Sequence, residues 1–263
     1  MKKIWLTLVA VLALMVGATA PAGAVTDGTL DGDGHPYVGL MVAQDADGTP
    51  LWRCSGTLLS STVFLTAGHC TESPAAHVEI WFQSDVESGR PGNGYPNKGQ
   101  ASGTPHTIGT YDPNAFFLHD VGVVELSTPK EMSSYGKLPK TNELDALKPR
   151  RSTTFTSVGY GLQKAFPDAA SFKDSAVRIR MVAHPHLLQI NTGFTGPQSL
   201  LLSNNANTGG TCFGDSGGPN FLGTSNVVAG VTSFGLNSTC GGTGGVFRTD
   251  RADVLAFVNG FLN

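Results

Sequence analysis

Short apolar runs set between turn-forming residues constrain this chain more than any other feature of its sequence. The 263 residues include 34 glycines and 15 prolines, and few apolar runs keep the 3.6-residue spacing of a helix. Such a pattern favours many short strands joined by tight turns. Strands are expected at 37–43, 57–59, 63–66, 77–83, 121–126, 153–158, 177–182, 200–203, 227–233 and 245–248, where runs rich in β-branched and aromatic residues are bounded by turn formers. Asp47-Gly48 marks a tight turn between two of them. Only the C-terminal end reads as a helix: Asp250 is a capping residue, and Val254, Phe257, Val258 and Phe261 fall at i, i+3, i+4 and i+7. Residues 127–151, rich in Pro, Lys and Glu, separate two strand-rich halves and read as a crossover between two all-β units. Residues 88–103, with five Gly and two Pro, read as a long surface loop that can vary freely. There is no internal repeat at a fixed period.

The N-terminus has a different character. Lys2 and Lys3 precede a 13-residue stretch, 4–16, in which only Thr7 is polar, and Ala22-Gly23-Ala24 supplies a small-x-small cleavage pattern. That is the build of a secretory leader, and the stretch is shorter than the ~20 residues a spanning helix needs. A signal peptide is therefore expected at 1–24, with the exported chain starting at Val25. Its first β unit is placed at 25–135 and its second, with the closing helix, at 136–263. With 40% hydrophobic residues and a net charge of −3, the chain is a packed globule rather than a disordered one. An acidic chain with no Lys/Arg cluster also offers no field for phosphates, which argues against a nucleic-acid partner.

Export places the four cysteines where disulfides persist. Cys54 and Cys70 flank a hairpin-like stretch, and Cys212 and Cys240 bracket a glycine-rich region, so pairing within each couple is the simplest of the three connectivities. Each bridge would restrict the unfolded chain by about 3 kcal/mol on the entropic model. No C-x-x-C or H-x-x-x-H spacing is present, so no metal is expected. Asp31-Gly32-Asp33-Gly34 and Asp45-Ala46-Asp47-Gly48 look like calcium loops, but their twelfth positions are Val42 and Gly56 rather than Glu, and they read as turns. His184-Pro185-His186 reads as a strand-end loop, and Asn237-Ser238-Thr239 fits a glycosylation acceptor.

Chemistry concentrates in three places. His69, in Thr66-Ala67-Gly68-His69-Cys70, sits where an apolar strand enters a turn, beside a cysteine that anchors it; such an imidazole is placed to move protons near neutral pH. Asp120, at the entrance of another strand, can hold the second ring nitrogen and stabilise its charged form. Ser216, in Gly214-Asp215-Ser216-Gly217-Gly218-Pro219, is surrounded by glycines that permit a sharp turn and leave backbone N–H groups to face an oxyanion. Hydroxyl, imidazole and carboxylate together make a weak nucleophile able to attack an acyl carbon.

The blocks T-A-G-H-C, H-D-V-G-V-V-E-L and G-D-S-G-G-P, in this order, resemble the three signatures of the chymotrypsin/trypsin-like serine proteases. Gly159-Tyr160-Gly161, Val231-Thr232-Ser233-Phe234-Gly235 and the closing helix extend the resemblance over residues 25–263. G-D-S-G-G also fits the nucleophile elbow of α/β hydrolases, but that fold needs its histidine after the serine, and the last histidine here is His186. A subtilisin-like order using Asp45 or Asp47 would need repeated strand–helix units that the chain lacks.

The resemblance implies an all-β fold: two six-stranded antiparallel β-barrels with a C-terminal α-helix, and an active site in the cleft between them. It implies catalytic roles for His69, Asp120 and Ser216, and an oxyanion hole from the Gly214 and Ser216 N–H groups. It also implies an ion pair between Asp215 and the new N-terminus at Val25. Gly210 would floor the specificity pocket, Ser233, Gly235 and Gly245 would wall it, and Phe213 would rim it. With no acid at position 210, the expected preference is for large apolar rather than Lys or Arg residues. No cofactor is required. The expected partners are polypeptide substrates and proteinaceous inhibitors, with no membrane once the leader is removed, for a secreted monomer. A relative that kept this fold but lost catalysis, serving as a binding protein, is the alternative.

Overall fold

In the computed structural model the described residues are 25–163, 177–191, 193 and 195–262, so the expected leader lies outside them. A short strand β1 (Thr29–Leu30) comes first. It is followed by β2 (Val38–Gln44), β3 (Pro50–Leu58), β4 (Val63–Thr66), β5 (His77–Trp81), β6 (Ala101–Thr107) and β7 (Gly122–Leu126). The six strands from β2 to β7 close into a barrel in the order β2-β3-β4-β7-β6-β5, every pairing antiparallel. Leu40, Phe64, Leu65, Ile80 and Val124 of its strands are all fully buried in the apolar core on the two faces of its sheet; side chains of this size stabilise by roughly 1.5–3 kcal/mol each when withdrawn from water. The tight turn expected at Asp47-Gly48 joins β2 to β3. Gly48 adopts φ +80°, a region glycine enters without strain, and its N–H reaches the Asp45 carbonyl at 3.1 Å.

The second half carries β8 (Arg150–Gly159), β9 (Met181–Ala183), β10 (His186–Ile190), β11 (Ser199–Asn204), β12 (Pro219–Leu222), β13 (Val228–Gly235), β14 (Gly242–Arg248) and a helix α1 (Ala252–Leu262). A ring of six, β8-β10-β11-β14-β13-β12, closes through the β8–β12 pairing. β9 continues the line of β10 beside β8, the two being separated at His184-Pro185. The fold is thus two closed six-stranded antiparallel barrels and one C-terminal helix, as expected. Both ends of the described chain cross between the halves: β1 pairs with β9 of the second sheet, while Val254 and Val258 of α1 join the apolar core of the first barrel, where Phe261 meets the His106 ring at 4.8 Å.

Several strands escaped the sequence pattern for physical reasons. β6 begins inside the stretch read as a freely varying loop, and its Ala-Ser-Gly-Thr-Pro-His-Thr sequence has no apolar alternation; it is held in the barrel by neighbours on both edges. The loop before it is also committed, since Trp81 Nε1 donates to the Asn93 carbonyl at 3.0 Å and Tyr95 packs on the core. β3 begins seven residues earlier than expected, at Pro50, because its start mixes Trp, Arg and Pro. β12 is a short strand with a proline at its first residue, where the missing N–H costs least.

The two cysteine couples pair as expected, Cys54 with Cys70 and Cys212 with Cys240. Between the barrels Arg180, 1% exposed, takes up the charge of the Asp31 turn. Its Nε donates to Asp31 at 2.8 Å, and its Nη1 donates to the carbonyls of Val38 and Phe82 and to the Tyr160 hydroxyl at 3.0–3.1 Å.

Candidate active site

His69 lies in the single helical turn Gly68–Cys70 directly after β4. The Cys54–Cys70 bridge ties that turn to β3, and the Trp52 indole N–H donates to the Cys70 carbonyl at 3.1 Å. Asp120 stands just before β7, the strand that pairs with β4, so the sheet itself brings the carboxylate under the imidazole. The Asp120 side chain is fully buried. It accepts the His69 backbone N–H at 2.9 Å, His69 Nδ1 at 2.9 and 3.1 Å, and the Ser233 hydroxyl at 2.5 Å. A carboxylate only accepts, so Nδ1 carries the proton and Nε2 keeps its lone pair. Burial lowers the His69 pKa, but the charge and hydrogen bond of Asp120, aided by Glu72, outweigh it and hold the imidazole above 6.5.

Ser216 is carried by the glycine-rich turn before β12. Two contacts from β3 of the first barrel clamp that turn: the Ser55 N–H donates to the Ser216 carbonyl at 2.8 Å and the Ser55 hydroxyl to the Gly214 carbonyl at 3.0 Å. Gly217 lets the turn lie against β4. A Cβ there would sit 2.0 Å from Thr66 Oγ1 and 2.7 Å from the Ala67 nitrogen, and φ is +76°. Ser216 and His69 border one cleft, with no hydrogen bond between them among the described residues; nucleophile–base pairs are often this loose without substrate. The Phe213 carbonyl accepts the Leu162 N–H at 2.8 Å. In a trans peptide C=O and N–H point opposite ways, so the Gly214 N–H is turned away from Leu162. Neither the Gly214 nor the Ser216 N–H is spent on another group among the described residues, and both residues face the cleft.

The structure departs from expectation at Gly210 and Gly245. Gly210 does not floor the pocket: its backbone bridges Thr26, and the Asn204 side chain occupies the space where its Cβ would stand, 2.2–2.6 Å away. Gly245 does not wall it either, because the Phe234 ring packs onto it, 2.4 Å from where a Cβ would be. The cavity beside Ser216, about 270 Å³, is lined by the expected Ser233, Gly235 and Phe213 together with Phe116, Phe234 and the Cys212–Cys240 bridge, among others, with no charged side chain among the described residues. In the uncut chain no hydrogen bond joins Val25 to Asp215 among the described residues. Val25 packs on Met181 and Ala183, while the Asp215 carboxylate accepts the Gly161 and Cys212 N–H groups at 2.8 and 2.9 Å. The nitrogen of Val25 is an amide as long as residue 24 is attached, and an uncharged amide is not drawn to a carboxylate. Burial pushes the Asp215 pKa up to about 7, against those two N–H groups and the Arg53 charge.

Sequence reasoning missed Ser55 and the bond from Ser233 to Asp120. Ser55 follows Cys54 in a strand of mixed polarity, and nothing local marks it; Ser233 stood in a recognised block but was given only a pocket-wall role.

Residues 33–256 match the family model described as Trypsin. Trypsin beta of Drosophila erecta is 24% identical over 259 residues, covering 95% of this chain and 96% of that protein. Trypsin alpha of Drosophila melanogaster is 25% identical over 255 residues, covering 94% and 93%. Among solved structures, human heparin binding protein superposes with a TM-score of 0.63 at 20% identity, covering 87% of this chain and 92% of that one. A scabies mite inactivated protease paralogue, S-D1, superposes with a TM-score of 0.65 at 14% identity, covering 92% and 98%. At such identities these two speak for the fold alone. With the family model spanning most of the chain and the barrels and serine turn in place, the protein belongs to the Trypsin family.

Proposed function

We propose that the protein is a secreted serine endopeptidase. The observation that carries this reading is the His69–Asp120 pair, its Nε2 lone pair available in a cleft bordered by the Ser216 hydroxyl and the uncommitted Gly214 N–H. His69 takes the Ser216 proton as the hydroxyl attacks the scissile carbonyl, the N–H groups of Gly214 and Ser216 receive the oxyanion, and Asp120 steadies the imidazolium. His69 then protonates the leaving amine, and water hydrolyses the acyl-enzyme. A serine-directed phosphonate should label Ser216 in the folded protein. Ser216→Ala should cut kcat by roughly a million-fold with the fold intact. Absence of labelling in folded protein would favour a catalytically silent binding protein.

The uncharged, phenylalanine-lined cavity supports a preference for large apolar residues on the acyl side. Amide substrates ending in Phe or Tyr should be hydrolysed faster than their Arg counterpart, and faster Arg cleavage would refute this. Removal of 1–24 would turn the Val25 nitrogen into an ammonium, which we expect to swing to Asp215; Thr26, already bonded to Gly210, holds the segment beside the loop that leads there. N-terminal sequencing of active secreted protein should begin at Val25.

A further inference from the structure

Two cavities meet at Phe213 and Ser216. The uncharged one lies on one side of the serine; the other, about 580 Å³, contains His69. Because His69 must hand its proton to the leaving nitrogen, the leaving segment of the substrate passes through the cavity that holds it. That cavity is lined by Arg53 from β3, Arg90 from the loop before β6 and Arg178 ahead of β9, and no acidic residue lines it among the described residues.

We propose that this cleft selects substrates with an aspartate or glutamate one or two residues after the scissile bond. The inference rests on the peptidase reading above. Glu87, set behind the lining, is shared by two of the arginines: its Oε1 lies 2.7 Å from Arg90 Nη1 and its Oε2 2.9 Å from Arg178 Nη1. Among the described residues, three guanidinium groups thus border this cleft, with the Glu87 carboxylate shared by two of them and the buried Asp215 acting on Arg53. The Tyr95 ring fixes two of them, with the Arg90 and Arg178 carbons 5.1 and 5.3 Å from its centroid, so little side-chain freedom is left to lose when a carboxylate arrives. Burial, with the Arg178 charge adding to it, pushes the Arg53 pKa down against opposing contributions from Tyr95 and Asp215; a substrate carboxylate would relieve that crowding. Trp52, Leu51, Pro50 and Pro96 complete the walls. Apolar walls lower the local dielectric, so a charge pair here is worth more than on open surface. Guanidinium groups also pair with carboxylates in a planar, directional way, and their like charge repels a lysine in the same place.

The test is a set of C-terminally amidated peptides sharing one apolar acyl side and carrying Asp, Ala or Lys at the first and second positions after the cleaved bond. Each kcat/KM is divided by that of an anilide with the same acyl part. The Asp peptides should exceed the Lys peptides by about tenfold, roughly one charge pair, and the ratio should shrink as salt is raised. Arg90→Glu should invert the preference, and Arg178→Glu, which also unseats Glu87, should at least abolish it, with folding of each variant checked by phosphonate labelling of Ser216. Equal rates for Asp and Lys peptides would overturn the proposal and leave peptide hydrolysis standing. No hydrolysis of any peptide or of the anilide, with no label on Ser216, would overturn the peptidase reading and this proposal with it.

Discussion

Asp120 shows how much one buried carboxylate does here: it takes the His69 backbone N–H, the ring Nδ1 and the Ser233 hydroxyl at once. Every acceptor position is used by a donor that keeps the imidazole in one tautomer and one plane. Asp120→Asn keeps the shape but offers Nδ1 an amide, which allows the wrong tautomer, and should lower kcat by about 10⁴-fold. The pH profile gives a separate readout. The base must be neutral, so the rate falls as pH drops through the His69 pKa. In the native protein burial is outweighed by Asp120 and Glu72, which sets that limb above 6.5. Removing the Asp120 charge lets burial act with less opposition, and the limb of Asp120→Asn should move toward acid.

At the scale of elements, the site is built by β4 pairing with β7 and by the serine turn lying against the start of the His69 turn. Gly217 is the point of closest approach. Gly217→Ala would put a methyl into Thr66 Oγ1 and hold an L-residue at φ +76°, a region that costs such residues about 1–2 kcal/mol. The turn must retreat from β4, carrying Ser216 away from His69. A displacement of about 1 Å is enough to lower the rate by about 10²-fold, so kcat should fall to that extent while the near-ultraviolet circular dichroism of both barrels persists. Loss of folding without a prior loss of activity on the way would contradict this account. Ser55 serves the same junction from the other side, with its hydroxyl accepting the Tyr160 N–H at 3.0 Å while donating to Gly214.

For the whole molecule, the seam is held by charge as well as by packing. Arg180 links the Asp31 turn, β2 and the residues after β5. Arg180→Met leaves Asp31 buried with only His35 opposite it, and losing one partner of a buried pair costs about 3–5 kcal/mol, which chemical denaturation at neutral pH should show. Burial raises the Asp31 pKa, but His35 and Arg180 together hold it below 3.8. Its contribution to stability is therefore present above pH 3.8 and lost as pH falls through the lower folded value. Asp215 has the opposite sign: its folded pKa of about 7 means stability is fully present below 3.8 and lost as pH rises through about 7. In the uncut chain Asp215→Asn should flatten the loss between those pH values, while Asp31→Asn should flatten the acid loss; denaturation midpoints across pH separate the two.

What the amino-acid sequence determined alone is what depends on neighbours along the chain. The Asp47-Gly48 turn, the amphipathic end, the strand from Val63 and the glycine-rich setting of Ser216 each need only a few adjacent residues, and each is where the sequence places it; Asp250, read as the cap of that end, instead accepts from Arg248 and the Leu144 N–H. The pairing of the cysteines followed from their surroundings, and the all-β class from the spacing of apolar runs. Tertiary structure alone decided what depends on distant neighbours. β6 is a strand because β5 and β7 take its backbone hydrogen bonds, not because its residues favour one. Gly210 left the pocket because Asn204 and Thr26 reached it first, and Phe234 closed the wall that Gly245 would have opened. Arg53, Arg90 and Arg178 are spread over 126 positions of sequence and became one charged wall only when β3, the loop before β6 and the entry to β9 met. Local propensity is short-ranged, while burial and charge act through space, and the division between the two readings of this protein follows that line.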